Sequence, residues 1–217
     1  MNLFPSPTTP ICLSEPLVLI VDDDEAVREA LSSLLRSVGL QVVSFSSASD
    51  LLRYTLPDTP TCLVLDVRLP GRSGFDLQNQ LATDNIAVPI IFITGHGDIP
   101  MTVMAMKAGA VDFLAKPFRE QEMLDAISTA LEADRIRRDS NRVLVDLRAR
   151  FESLTNREKE VLAHVTLGLL NKQIAAEMGI SEVTVKIHRG HMMRKMNAKS
   201  VAHLVKMSEQ IRVESVR

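Results

Sequence analysis

Between Leu17 and Ala133 the chain alternates, five times over, a short apolar run with a segment of helical periodicity, and that alternation leaves few folds open. The apolar runs are 17–21, 42–45, 61–66, 89–94 and 110–115; the helical segments are 26–38, 48–54, 74–81, 99–107 and 120–133. Strands separated by helices pair in parallel and keep helices on both faces, so all their carboxyl ends share one edge. The expected architecture is a doubly wound, five-stranded parallel α/β sheet. In such a sheet the edge at the strand carboxyl ends is where ligands bind.

That edge collects the chemistry-bearing residues. Asp22 and Asp23 end the first run, Asp66 ends Cys62-Leu63-Val64-Leu65-Asp66, Thr94 ends the fourth run and Lys116 follows the fifth. After Asp66 the chain turns at Pro70-Gly71. Three carboxylates brought together repel one another, and a hard divalent cation such as Mg²⁺ (or Mn²⁺) is their natural partner. A Thr hydroxyl and a Lys ammonium both suit a phosphoryl oxygen. The Asp22-Asp23-Asp24 triple by itself also fits a helix-capping cluster, and both readings stand at this level.

Charge is distributed unevenly. Residues 17–133 carry 8 Lys/Arg against 16 Asp/Glu, whereas residues 153–217 carry 11 against 6, so the back half is the part suited to a polyanion. Residues 1–16 hold four prolines and neither Lys nor Arg, which reads as a loose tail and not as a secretory signal. No apolar run reaches membrane-spanning length. Two cysteines, Cys12 in the tail and Cys62 in a core strand, make no disulfide framework, and a reducing cytoplasm is expected.

Residues 134–152 contain neither Gly nor Pro, and Ile136, Val143, Leu144, Leu147 and Phe151 recur at roughly helical spacing. A helical linker is expected, either pairing with a second copy or folding back on a domain. From Ser153 the chain reads as a helix array. Thr155-Asn156-Arg157-Glu158 is a capping box, Gly168 ends that helix, and Asn171–Met178, Gly179-Ile180-Ser181 and 182–196 read as helix, tight turn, helix. On the second of these helices Val185, His188, Met192 and Met196 share one side, while Lys186, Ile187, Gly190 and Arg194 share the other. The first set is expected to be core. The second is an exposed basic stripe, which fits either a phosphate-lined groove or a solvated face.

Two resemblances follow from these residues. Asp22, Asp23, Asp66, Thr94, Phe113 and Lys116-Pro117 stand in the order and spacing of the receiver domain of bacterial two-component response regulators, over residues 17 to about 133. The resemblance implies a flavodoxin-like fold in which Asp66 accepts a phosphoryl group from a sensor histidine kinase. It further implies that Asp23, Asp66 and the backbone carbonyl of Arg68 hold Mg²⁺, that Asp22 acts through water, that Lys116-Pro117 is cis, and that Thr94 and Phe113 switch. His96 stands where the family tunes water access. The stretches Leu154–Glu158, Asn171–Ala175 and Thr184–Arg189 resemble the LuxR-type helix-turn-helix, over about 153–207. By that resemblance Lys186, Ile187 and Gly190 face bases, and Lys172, Thr184, His188 and Arg194 contact phosphates. Together the halves resemble the NarL/FixJ class: residues 1–16 tail, 17–133 receiver, 134–152 linker, 153–217 DNA-binding domain. The class implies a transcriptional regulator, not an enzyme, whose partners are the kinase, promoter DNA, RNA polymerase and, once phosphorylated, a second copy. A receiver whose helical half binds a protein instead of DNA, and a stand-alone phosphatase, are the competing readings.

Overall fold

A computed structural model describes residues 15–95 and 99–214, without the side chains of 212–214. Residues 1–14 of the expected tail (1–16), with Cys12, and His96 lie outside the described residues; Glu15 and Pro16 are described, both bonded to Gln41. By contact density the chain divides after Arg138 into two compact units.

The first unit is the doubly wound sheet. Its strands are β1 (Leu17–Val21), β2 (Gln41–Phe45), β3 (Thr61–Asp66), β4 (Ile90–Thr94) and β5 (Asp112–Ala115), parallel throughout and ordered β2-β1-β3-β4-β5. The order reverses beside β1, and the register sets Val21 opposite Leu65 and Asp66 opposite Ile93. Successive side chains of a strand point to opposite faces. Leu17, Leu19, Val21, Leu63 and Leu65 accordingly enter one core layer, and Val18, Ile20, Cys62 and Val64 the other. The central strands are buried on both sides, which is why they read as continuous apolar runs. The Cys62 thiol, buried and near the Asp134 carboxylate, is pushed up to about 12, so it packs as an inert side chain.

Helices α1 (Glu25–Ser37), α2 (Ala48–Arg53), α3 (Gly74–Thr83), α4 (Ile99–Lys107) and α5 (Glu120–Glu152) follow the strands. The Asp24 side chain caps α1 by accepting from the Ala26 and Val27 amides, and Ser73 with Asp76 forms a capping box at α3. Pro70-Gly71 is the tip of a two-stranded ribbon pairing Arg68 with Ser73 and Leu69 with Arg72. This ribbon directly follows Asp66. Helix α5 does not stop at Ala133 but runs on through the expected linker to Glu152.

In the second unit, α6 (Asn156–Thr166), α7 (Asn171–Met178), α8 (Glu182–Lys195) and α9 (Val201–Glu214) enclose a core of Leu147, Leu154, Val161, Val165, Ile174, Val185, Met192, Met196 and Leu204. Thr155 and Glu158 form the expected capping box at α6. Gly179 takes φ +66° in the turn between α7 and α8, a left-handed conformation that favours glycine. Helix α9 has no counterpart among the helices expected from the sequence; it enters the core through Leu204, with Met207 and Ile211 packed against it.

Candidate functional site

The aspartate triple divides into three roles. Asp24 is the helix cap. Asp22 is fully buried, accepting from the Asp24 amide at 2.9 Å and from Lys116 Nζ at 2.6 Å. Asp23 is exposed. The helix-cap reading therefore holds for one member only.

Parallel pairing brings Asp66 to this cluster. Its Oδ1 accepts the Arg68 amide at 2.9 Å and its Oδ2 accepts from Lys116 Nζ at 2.8 Å. One ammonium thus bridges the ends of β1 and β3. The Lys116-Pro117 peptide is cis, and the Lys116 amide donates to the Thr94 carbonyl at 2.7 Å. Burial lowers the Lys116 pKa, but its hydrogen bonds to Asp22 and Asp66 outweigh that and raise it, so the bridge stays charged. For Asp22, burial outweighs the bond from Lys116 and holds the carboxyl above the usual range. Thr94 is fully buried at the neighbouring strand end. The half-buried Phe113 ring lies 6.4 Å from that of Phe92.

Oxygens of Asp22, Asp23 and Asp66 all lie within 4.8 Å of one another. Three carboxylates against the one ammonium that bridges two of them leave a net negative cluster with one member open to solvent. This donor set fits a hard divalent cation.

Two supporting residues are absent from the sequence reading. Arg28, one turn into α1, donates to the backbone carbonyls of Asp22 at 2.8 Å and Asp23 at 2.9 Å, fixing the loop that carries both. Gly74 sits against the Asp66 carbonyl; a Cβ there would lie 2.5 Å from that oxygen. No side-chain pattern reports a contact to backbone, although a glycine opening a helix just past the ribbon is a visible signal of close approach.

In the second unit the expected sides of α8 separate. Val185, Met192 and Met196 are fully buried and His188 is half-buried; Lys186, Ile187, Gly190 and Arg194 are exposed, as is Lys172 on α7. Thr184 is half-buried, its hydroxyl 2.8 Å from that of Ser181, the N-cap of α8. Among the described residues none forms an ion pair with Lys172, Lys186 or Arg194. Arg157 and Lys195, by contrast, pair with Glu160 and Glu158. Arg189, given no role by the sequence reading, donates to the Asn171 side chain at 2.9 Å and ties α8 to the start of α7.

Residues 18–128 match the response regulator receiver domain, and residues 152–208 match the bacterial regulatory proteins of the luxR family. The chain belongs to the NarL/FixJ class of response regulators, which join a receiver to a LuxR-type DNA-binding domain. Nodulation protein W of Bradyrhizobium diazoefficiens is 56% identical over 202 residues, covering 93% of this chain and 89% of that protein. Transcriptional regulatory protein FixJ of Rhizobium meliloti is 44% identical over 200 residues, 90% of this chain and 96% of that one. The low-resolution structure of the response regulator StyR superposes with a TM-score of 0.83 at 52% identity, covering 91% of this chain and all of that one. This chain is a response regulator with a DNA-binding output, and among the described residues no helix is long and apolar enough to cross a membrane.

Proposed function

We propose that Asp66 is the phosphoacceptor and that its state governs DNA binding by the second unit. An Asp66 oxygen attacks the phosphorus of a phosphohistidine on a sensor histidine kinase; the O–P bond forms, the N–P bond breaks, and the imidazole leaves and takes up a proton. Phosphoryl transfer asks little of a protein beyond position and charge. Lys116 supplies positive charge beside the oxygens of the transferring group, and buried Asp22 keeps it aimed there. Asp23, Asp66 and the Arg68 carbonyl would hold Mg²⁺, or Mn²⁺, with Asp22 acting through water. Such an ion, when bound, neutralises the charge of the phosphoryl oxygens. The observation that carries this reading is the Lys116 bridge between Asp22 and Asp66.

Transfer changes the charge at the sheet edge, and Thr94 and Phe113 convert it into a conformational shift that favours a homodimer. Residues 17–133 act as receiver, 134–152 as linker and 153–217 as DNA-binding domain. Two copies then place paired α8 helices on promoter half-sites, with Lys186, Ile187 and Gly190 toward bases and Lys172, Thr184, His188 and Arg194 toward phosphates. RNA polymerase is the further partner, and the protein works in the bacterial cytoplasm.

Incubation with acetyl phosphate and Mg²⁺ tests the acceptor: wild type is labelled and Asp66→Ala is not. Equal labelling overturns the assignment. Lys186→Ala and Arg194→Ala test the output through weaker DNA binding and a shallower salt dependence.

A further inference from the structure

The exposed face of α8 is more apolar than binding to phosphates requires. Val183 is 66% exposed and Ile187 52% exposed. Four residues apart on one helix, they share a face, one turn above the other. Neither belongs to the core, which α8 joins through Val185 and Met192. One turn beyond Ile187 stands Gly190, where a Cβ would meet open space. From Val183 through Ile187 to Gly190 this face offers methyl groups and a gap, with no hydrogen-bonding side chain among the three. Lys186 and Arg194 supply exposed positive charge beside it.

In the major groove a side chain that presents only methyl groups can distinguish one base feature, the C5-methyl of thymine. Four helical residues rise about 6 Å, close to two base-pair steps of about 3.4 Å. We propose that Val183 and Ile187 read thymine methyl groups at two positions of each half-site, and that Val183 is a specificity-determining residue of this regulator. The proposal rests on the reading of the second unit as a DNA reader. The occupant of this face is duplex DNA because the apolar pair is flanked by cations without ion-pair partners among the described residues. A protein groove would leave those charges uncompensated unless it were acidic.

The test uses the full-length protein treated with acetyl phosphate and Mg²⁺. Duplexes are selected by wild type from a random pool, and each selected thymine is then replaced in turn by deoxyuridine, which lacks only the C5-methyl. Wild type is expected to lose about 3- to 10-fold in affinity at two positions per half-site, the scale of one lost methyl contact. In Val183→Ala the uracil penalty disappears at one position, and in Ile187→Ala at the other. Arg194→Ala, at a residue placed toward phosphates, weakens every duplex while the penalties remain. Both apolar variants change exposed residues and are expected to keep the wild-type melting temperature. Uracil tolerated at every position overturns the proposal, and a penalty unchanged in Val183→Ala overturns the assignment of Val183. Failure of wild type to enrich any duplex overturns instead the DNA-binding reading on which it rests.

Discussion

The two ends of the parallel sheet hold buried carboxylates in opposite states of neutralisation. At the amino end of β3, Asp134 is fully buried and fully satisfied. Its Oδ1 accepts from Arg137 Nε at 3.0 Å and Nη2 at 2.6 Å, and its Oδ2 accepts the Thr61 amide at 2.9 Å and Arg138 Nε at 2.5 Å. Arg138 reaches on to Asp58 at 2.9 Å. At the carboxyl end, Lys116 bridges Asp22 and Asp66, and Asp23 stands exposed beside them. Similar side chains build a fastener where cations match anions and leave surplus negative charge where they fall short. A closed cluster such as Asp134 is costly to open; an open one such as Asp66 is poised to gain a ligand. Glu158 repeats the closed design in the second unit, buried between Lys195 Nζ at 2.7 Å and the Thr155 amide at 2.8 Å.

The largest expected effect is at the closed end. Asp134→Ala leaves the buried Thr61 amide without its acceptor, Arg137 without its partner and Arg138 with Asp58 alone, and is expected to destabilise the first unit by about 3 kcal/mol in urea unfolding. Labelling of the folded fraction by acetyl phosphate should persist. Loss of labelling in fully folded Asp134→Ala would break the separation of the two ends.

Gly74→Ala probes the carboxyl end of the sheet. Its new Cβ meets the Asp66 carbonyl at 2.5 Å, a backbone atom that cannot rotate away. A cost of about 1–3 kcal/mol is expected, accompanied by slower labelling, because the strain falls on the peptide of the proposed acceptor. An unchanged labelling rate would show that Asp66 tolerates displacement.

A smaller effect, on the order of 1 kcal/mol, is expected from Lys195→Met, since Lys195 is partly exposed. Burial raises the Glu158 pKa, but the bonds from Lys195 and Thr155 outweigh it and hold the carboxyl below its usual range. A carboxyl depressed in the folded state stabilises above its unfolded pKa of about 4.3, and that stability is lost as pH falls through the lower folded value. The second unit should therefore lose stability on acidification below the ordinary Glu range. Lys195→Met should flatten the loss, and an unaltered acid profile would remove Glu158 from the set of closed clusters.

The sequence makes the open end more legible than the closed one. Asp22, Asp66 and Thr94 each terminate a continuous apolar run, and Lys116 follows one, so parallel pairing alone predicts their meeting. The capping boxes at Thr155 and Gly179 in its turn are local patterns, readable over a few residues. Asp134 binds an amide 73 residues away, and nothing in the charged run Asp134-Arg135-Ile136-Arg137-Arg138 says which members turn inward. Arg28 and Gly74 act on backbone carbonyls, which carry no side-chain signature. Helix α9 does carry a local signal, since Val201, Leu204, Met207 and Ile211 recur at helical spacing; what that spacing does not reveal is the core, supplied in part by α6, against which they pack.

If uncompensated charge makes the carboxyl end of the sheet a cation site, thermal unfolding with and without excess Mg²⁺ will reveal it. A ligand bound only by the folded state raises the melting temperature. Wild type should show that rise, Asp23→Asn should lose most of it, and Asp134→Asn should melt lower yet keep it. A wild-type melting temperature indifferent to Mg²⁺, or a rise undiminished in Asp23→Asn, would show that the surplus charge does not make a cation site there.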